Sequence, residues 1–134
     1  MSKNIAIAGV FGGIFTTLFG GWDTGLQTLL LMISIDFIFG LIAGGVFKTS
    51  KKTKSGGLSS KEMLKGIVKK IAELVVVIVA VQIDRVGGLT YVRDGVIIAL
   101  IITEALSILE NAALCGVPIP DVILKALDVI KGEK

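Results

Sequence analysis

At 103–111 the chain reads T-E-A-L-S-I-L-E-N, setting carboxyl, hydroxyl and amide groups at helical spacing inside a run that is otherwise hydrocarbon, GVIIALIITEALSILENAAL (95–114). On a helix advancing about 100° per residue, Thr103, Glu104, Ser107, Glu110 and Asn111 share an arc of about 120° centred on Ser107, and the opposite side is Ile, Leu, Val and Ala. Carboxyls in that setting accept hydrogen bonds, exchange protons or line water. An acid at mid-bilayer costs a few kcal/mol, so these groups must face protein or water. Other segments repeat the theme. Asp36, Gly40 and Gly44 follow one another at four-residue spacing, so that an acid tops a small-residue groove of the GxxxG type, and Gly9 and Gly13 form a similar groove without an acid. Gly66, Lys69, Lys70, Glu73, Ala80 and Asp84 share a further arc.

This inventory argues against catalysis. The chain has no histidine and a single cysteine, Cys115, which leaves no Ser-His-Asp or Cys-His site, no His-ligated metal and no internal disulfide. Neither GxxxxGK[ST] nor GxGxxG occurs, so no phosphate cradle is expected. The expectation is a protein that is not an enzyme and carries no cofactor or metal. Cys115 reads as a small apolar filler near a helix end.

The elements that must position the polar groups are membrane helices. With 134 residues, 53% of them hydrophobic, and a mean hydropathy of +0.87, the chain lies outside the range of a soluble domain and has room for one domain only. Spans are expected at 5–21, 26–47, 67–83 and 95–114, the third crowded at its start by Lys69, Lys70 and Glu73 and dependent on lysine snorkelling. Ser59 and Glu62 in GLSSKE have capping-box spacing, which starts a helix near Ser60. Pro118 and Pro120 open a tail helix over 120–130, with Val122, Ile123, Ala126, Leu127 and Ile130 on an apolar face and Asp121, Lys125 and Asp128 on a polar one. The linker DRVGGLTYVRD (84–94) reads as a short turn whose charges cancel.

Charge supplies the orientation. Lys48, Lys51, Lys52, Lys54, Lys61, Lys65, Lys69 and Lys70 cluster around the loop 48–66 against the single acid Glu62, a pattern that marks a cytoplasmic loop touching anionic headgroups. Base-stacking aromatics are absent there, which argues against nucleic acid as a partner. With four spans, this loop and both termini fall on one side and collect every base except Arg85 and Arg93, so both termini are expected in the cytoplasm; if the third segment only dips into the interface, three spans remain and the termini fall on opposite sides. The fold expected is therefore all-α, an integral membrane protein of about four transmembrane helices plus an amphipathic tail.

So small a bundle leaves much of its surface to lipid. Copies of the chain are therefore expected to associate, with Asp36, Glu73, Thr103, Glu104, Ser107, Glu110 and Asn111 satisfying one another between protomers and lining water after rearrangement. The competing arrangement is a compact monomer in which Lys69, Lys70 or the acids themselves neutralise the charge.

The residues also carry a resemblance. Glu104-Ala-Leu-Ser107-Ile-Leu-Glu110-Asn111, then Gly116-Val117-Pro118-Ile119-Pro120, preceded by Val92-Arg93-Asp94 and by Lys-Lys-Ile at 69–71, is similar to the phage lysis and toxin-secretion holins. These membrane proteins of phages of Gram-positive bacteria include the holin-like protein beside the large clostridial toxins. The similarity runs from about Asp36 to Pro120, with one departure at Thr103, where the pattern has asparagine. It implies a homo-oligomer in the bacterial cytoplasmic membrane that opens lesions at a set moment and releases an endolysin or a toxin without stably binding it. An antiholin is the implied regulatory partner. On this basis Glu104 is expected to be protonated or hydrogen-bonded in a closed assembly, and hydrated and charged on opening. The rival functions are an antiholin or other regulatory membrane subunit and a small proton-coupled multidrug transporter. The last needs an acid in the first span, which holds none.

Overall fold

The computed structural model describes residues 2–48, 57 and 59–131. Among them every regular element is helical: α1 (Lys3–Phe19), α2 (Thr24–Gly45), α3 (Ser60–Gly87), α4 (Val92–Leu114) and α5 (Asp121–Lys131). Local chemistry sets most boundaries. The Asp23 side chain caps α2 by accepting from the Leu26 N–H at 2.9 Å, and Gly20 and Gly88 end α1 and α3 in the left-handed conformation that glycine adopts without strain. Ser59 sits at the N-cap of α3, but its side chain makes no capping bond. The predicted capping box is therefore open, and Glu62 turns to Lys65 at 3.5 Å.

Helix α4 borrows its cap from another helix. Both carboxylate oxygens of Asp84 near the end of α3 accept from the first α4 amides, Val92 and Arg93, at 3.0 Å each. Asp84→Ala removes both acceptors, at an expected cost of about 1–2 kcal/mol. Hydrogen exchange at these two amides would register it, and unchanged protection would mean that the cap contributes nothing.

The pairings fix the directions of the helices. The starts of α2 and α4 meet at Asp23 and Arg93, while the end of α3 caps the start of α4. Helices α2 and α4 therefore run parallel, and α3 runs against both. Leu26 and Leu29 from α2, Val77 from α3 and Ile97 from α4 form the buried apolar centre, with Phe15 and Phe19 of α1 against it. Helix α1 touches the rest only near its C-terminal end and buries none of its residues. There Phe15 stacks on Phe19 with ring centroids 5.0 Å apart.

Among the described residues two helices, not the four expected from hydropathy, combine the length and composition of a membrane span: α2 and α4. Helix α1 is apolar but has 17 residues, about 25 Å at about 1.5 Å per residue, short of a hydrocarbon core of about 30 Å. Helix α3 has length to spare at 28 residues, but Lys65, Lys69, Lys70 and Glu73 interrupt its apolar run. It also starts at Ser60, inside the stretch read as the loop 48–66.

Candidate functional site

Halfway along α2 and α4, the polar groups of three helices converge. Lys70 reaches inward from α3 and donates from its ammonium to Asp36 Oδ2 on α2 and, at 2.7 Å, to Glu104 Oε2 on α4. The other Asp36 oxygen accepts from Asn111 Nδ2 at 3.2 Å, and the Ser107 hydroxyl lies against the same carboxyl. Glu73, one helical turn after Lys70, faces Glu104. Its Oε2 is buried without a hydrogen-bond partner among the described residues. Asp36 and Glu73 are each 7% exposed and Glu104 is 1% exposed, so bulk water solvates none of them. Each is held by its neighbours or carries an uncompensated cost.

One chain therefore gathers much of the polar face that was expected to find partners in other copies. Glu104, Ser107 and Asn111 turn inward with Asp36 and Glu73. Thr103 and Glu110, at the opposite edge of the α4 stripe, are exposed, and the Thr103 hydroxyl donates to its own helix at the Ala99 carbonyl, 3.0 Å away. The lysines divide in the same way. Lys48, Lys61, Lys65 and Lys69 are exposed, whereas Lys70, read from the sequence as a headgroup contact, is the cation of the interior cluster. Lys51, Lys52 and Lys54 lie outside the described residues. Of the glycines, Gly44 is buried, and a Cβ at Gly40 would stand 3.8 Å from Asn111 Nδ2. Gly9 and Gly13 meet no described side chain within 4 Å.

A second cluster, made of residues that the expected polar face did not include, lies at the end where α2 and α4 begin. Arg93 is 9% exposed and uses all three guanidinium nitrogens. Nε donates to the Phe19 carbonyl at 2.6 Å and Nη2 to the Gly21 carbonyl at 3.2 Å. Nη1 donates to Asp23 Oδ2 at 2.7 Å and to Asp94 at 3.3 Å. Gly20 makes this approach feasible. At φ 78° it is left-handed, and a Cβ there would stand 3.1 Å from Arg93 Nε. Arg85 adds donation to the Thr16 and Thr17 carbonyls at the end of α1. The available signal was positional: Asp23, Asp84, Arg85, Arg93 and Asp94 all lie beside helix ends on one side of the bundle.

The Arg93 hydrogen bond, with help from the Leu26 amide, holds the Asp23 carboxyl below the usual aspartate range. A carboxyl depressed in the folded state adds stability above its unfolded value, about 3.9, and loses it as pH falls through the depressed value. The turn should thus stay fastened at neutral pH and loosen only in acid. Carbon-13 titration of the Asp23 carboxyl should give a midpoint below the peptide value that rises in Arg93→Gln. An equal midpoint in both proteins would exclude the pairing in solution.

Fold and site together define a helical membrane protein with an ionic cluster inside, and comparison with known proteins makes this specific. Residues 13–132 match the model of the Bacteriophage holin family, and the chain belongs to that family. A probable holin of Bacillus phage phi105 is 37% identical over 81% of this chain and 75% of its own length. An uncharacterised 14.9 kDa protein from the nagH 3' region of Clostridium perfringens is 41% identical over 92% of this chain and 89% of its own. The Listeria monocytogenes protein Lmo0128 is 42% identical over 84% and 76%. No solved structure matches.

Proposed function

We propose that the chain acts as a holin: it accumulates in the bacterial cytoplasmic membrane, associates with copies of itself and opens the membrane to an endolysin at a set time. The observation that carries this reading is a charged cluster set halfway along two membrane-length helices of a chain that belongs to the holin family. Such a cluster holds its charges against one another while the helices stay packed and can turn to water when they part.

Depth argues that α3 lies in the membrane beside α2 and α4. Lys70 meets Asp36 and Glu104 at the middle of α2 and α4, and Asp84 meets Val92 at one end. Helix α3 thus shares their depth over its second half, and its first turns, with Lys61 and Lys65, extend toward the loop side. Lys69 lies near mid-depth, but helical side chains tilt toward the N-terminus, which lets it snorkel to that same side. The lysine-rich side is then cytoplasmic, and the Arg93 end faces outward.

Expression of this chain alone in a bacterium tests the reading. Abrupt collapse of membrane potential is expected, followed by lysis when a murein-degrading endolysin is co-expressed. Continued growth at full expression would exclude a holin and leave an inhibitor of one.

A further inference from the structure

The interior cluster holds three carboxyls and one ammonium. Lys70 serves Asp36 and Glu104, and Asn111 serves the second Asp36 oxygen. That leaves Glu73. It is 7% exposed, its Oε2 has no donor among the described residues, and it faces Glu104, itself an acceptor. Two facing acceptors buried without a donor between them are costly. A proton on one of them turns the pair into donor and acceptor and removes one negative charge from the interior.

We propose that Glu73 and Glu104 form a proton-binding site, one hydron shared between their carboxyls, and that losing it opens the closed bundle. The groups facing this site are Asp36 on α2, Lys70 on α3, and Ser107 and Asn111 on α4, while α1 brings no charged group near it. With the proton in place, three carboxyls and one lysine leave a single net negative charge, hydrogen-bonded throughout. Without it, two carboxylates confront each other with only Lys70 to answer both and Asp36 besides. Parting of α3 from α4 then lets water reach all of them. The closed form thus binds one proton more than an open form whose carboxyls are hydrated and ionised, so rising pH favours opening.

The shared proton is independent of the holin reading; the opening rests on it, and two measurements separate them. Infrared spectra of the full chain in phosphatidylglycerol and phosphatidylethanolamine vesicles at neutral pH should show a protonated-carboxyl C=O stretch. Glu73→Gln and Glu104→Gln should each lose it, because the amide supplies the missing donor without a proton. Absence of the band from the unmodified protein, or its persistence in both variants, would overturn the proton site. In the same vesicles loaded with calcein, release should rise about tenfold or more as raising the pH removes the infrared band, one pK unit corresponding to a tenfold change. Glu73→Gln should release at a slow rate independent of pH. An identical pH profile in that variant would overturn the gating, whereas no release at any pH would overturn the holin reading and leave the infrared result to decide the proton site.

Discussion

Replacing Lys70 by methionine is expected to detach α3 from α2 and α4 while leaving the helices themselves formed. Methionine keeps the length and most of the apolar stem, so the change removes little beyond the cation. Asp36 and Glu104 would then lie buried with no ammonium between them, and stripping one partner from a buried ion pair costs about 3–5 kcal/mol. Here two acids lose the same partner. Thermal melting in a mild detergent should show a large drop in midpoint with helicity unchanged at low temperature. Adding Asp36→Asn and Glu104→Gln should return much of the loss, because both unpaired charges are then gone. A melting midpoint for Lys70→Met equal to that of the unmodified chain would show that the acids take their stability from elsewhere.

That dependence on one lysine was only half visible in the sequence. The wheel of the third span placed Lys69 and Lys70 in one arc and could not choose between them. Adjacent residues stand about 100° apart, so one of the two had to turn away from the packed face, and the identity of that face depends on where α2 and α4 lie. The α4 stripe behaved similarly. Its composition marked the wet side of the helix, but the buried sector is offset toward Glu104 and Asn111, leaving Thr103 and Glu110 at the open edge. The tail helix was legible because proline acts locally, and α3 does start at Ser60, though without the serine cap that suggested it. The failures were non-local. Ser59 has the right neighbour for a capping box yet makes no side-chain cap, and α4 takes its cap from Asp84, eight residues back across a turn.

The outer cluster is likewise built from residues distant in sequence, and its loss is expected to have a large effect. Arg93→Ala is expected to release the turn between α1 and α2. The guanidinium ties the Phe19 and Gly21 carbonyls to the start of α4 and neutralises Asp23, and no other described side chain donates to all three. Hydrogen bonds from charged groups contribute about 1.5–3 kcal/mol each when buried. Asp23 is half exposed, so solvent screens its share, and the two carbonyl bonds dominate. Lysine should rescue poorly at this position, since one ammonium on a flexible stem cannot reproduce three fixed nitrogens. Trp22 lies in the turn, 6.0 Å from Phe15 between ring centroids, and serves as the reporter. Its fluorescence should become more quenchable by an aqueous quencher in Arg93→Ala and in Arg93→Lys, whereas Asp94→Asn should leave it nearly unchanged. Equal quenching in all four proteins would mean that the aromatic contacts of Phe15, Phe19 and Trp22 hold the turn without the arginine. With the turn released, α1 would be held by Phe15 and Phe19 against the apolar centre and by Arg85, and its exposed Ile5, Val10 and Phe11 would be free to settle against lipid or a second copy.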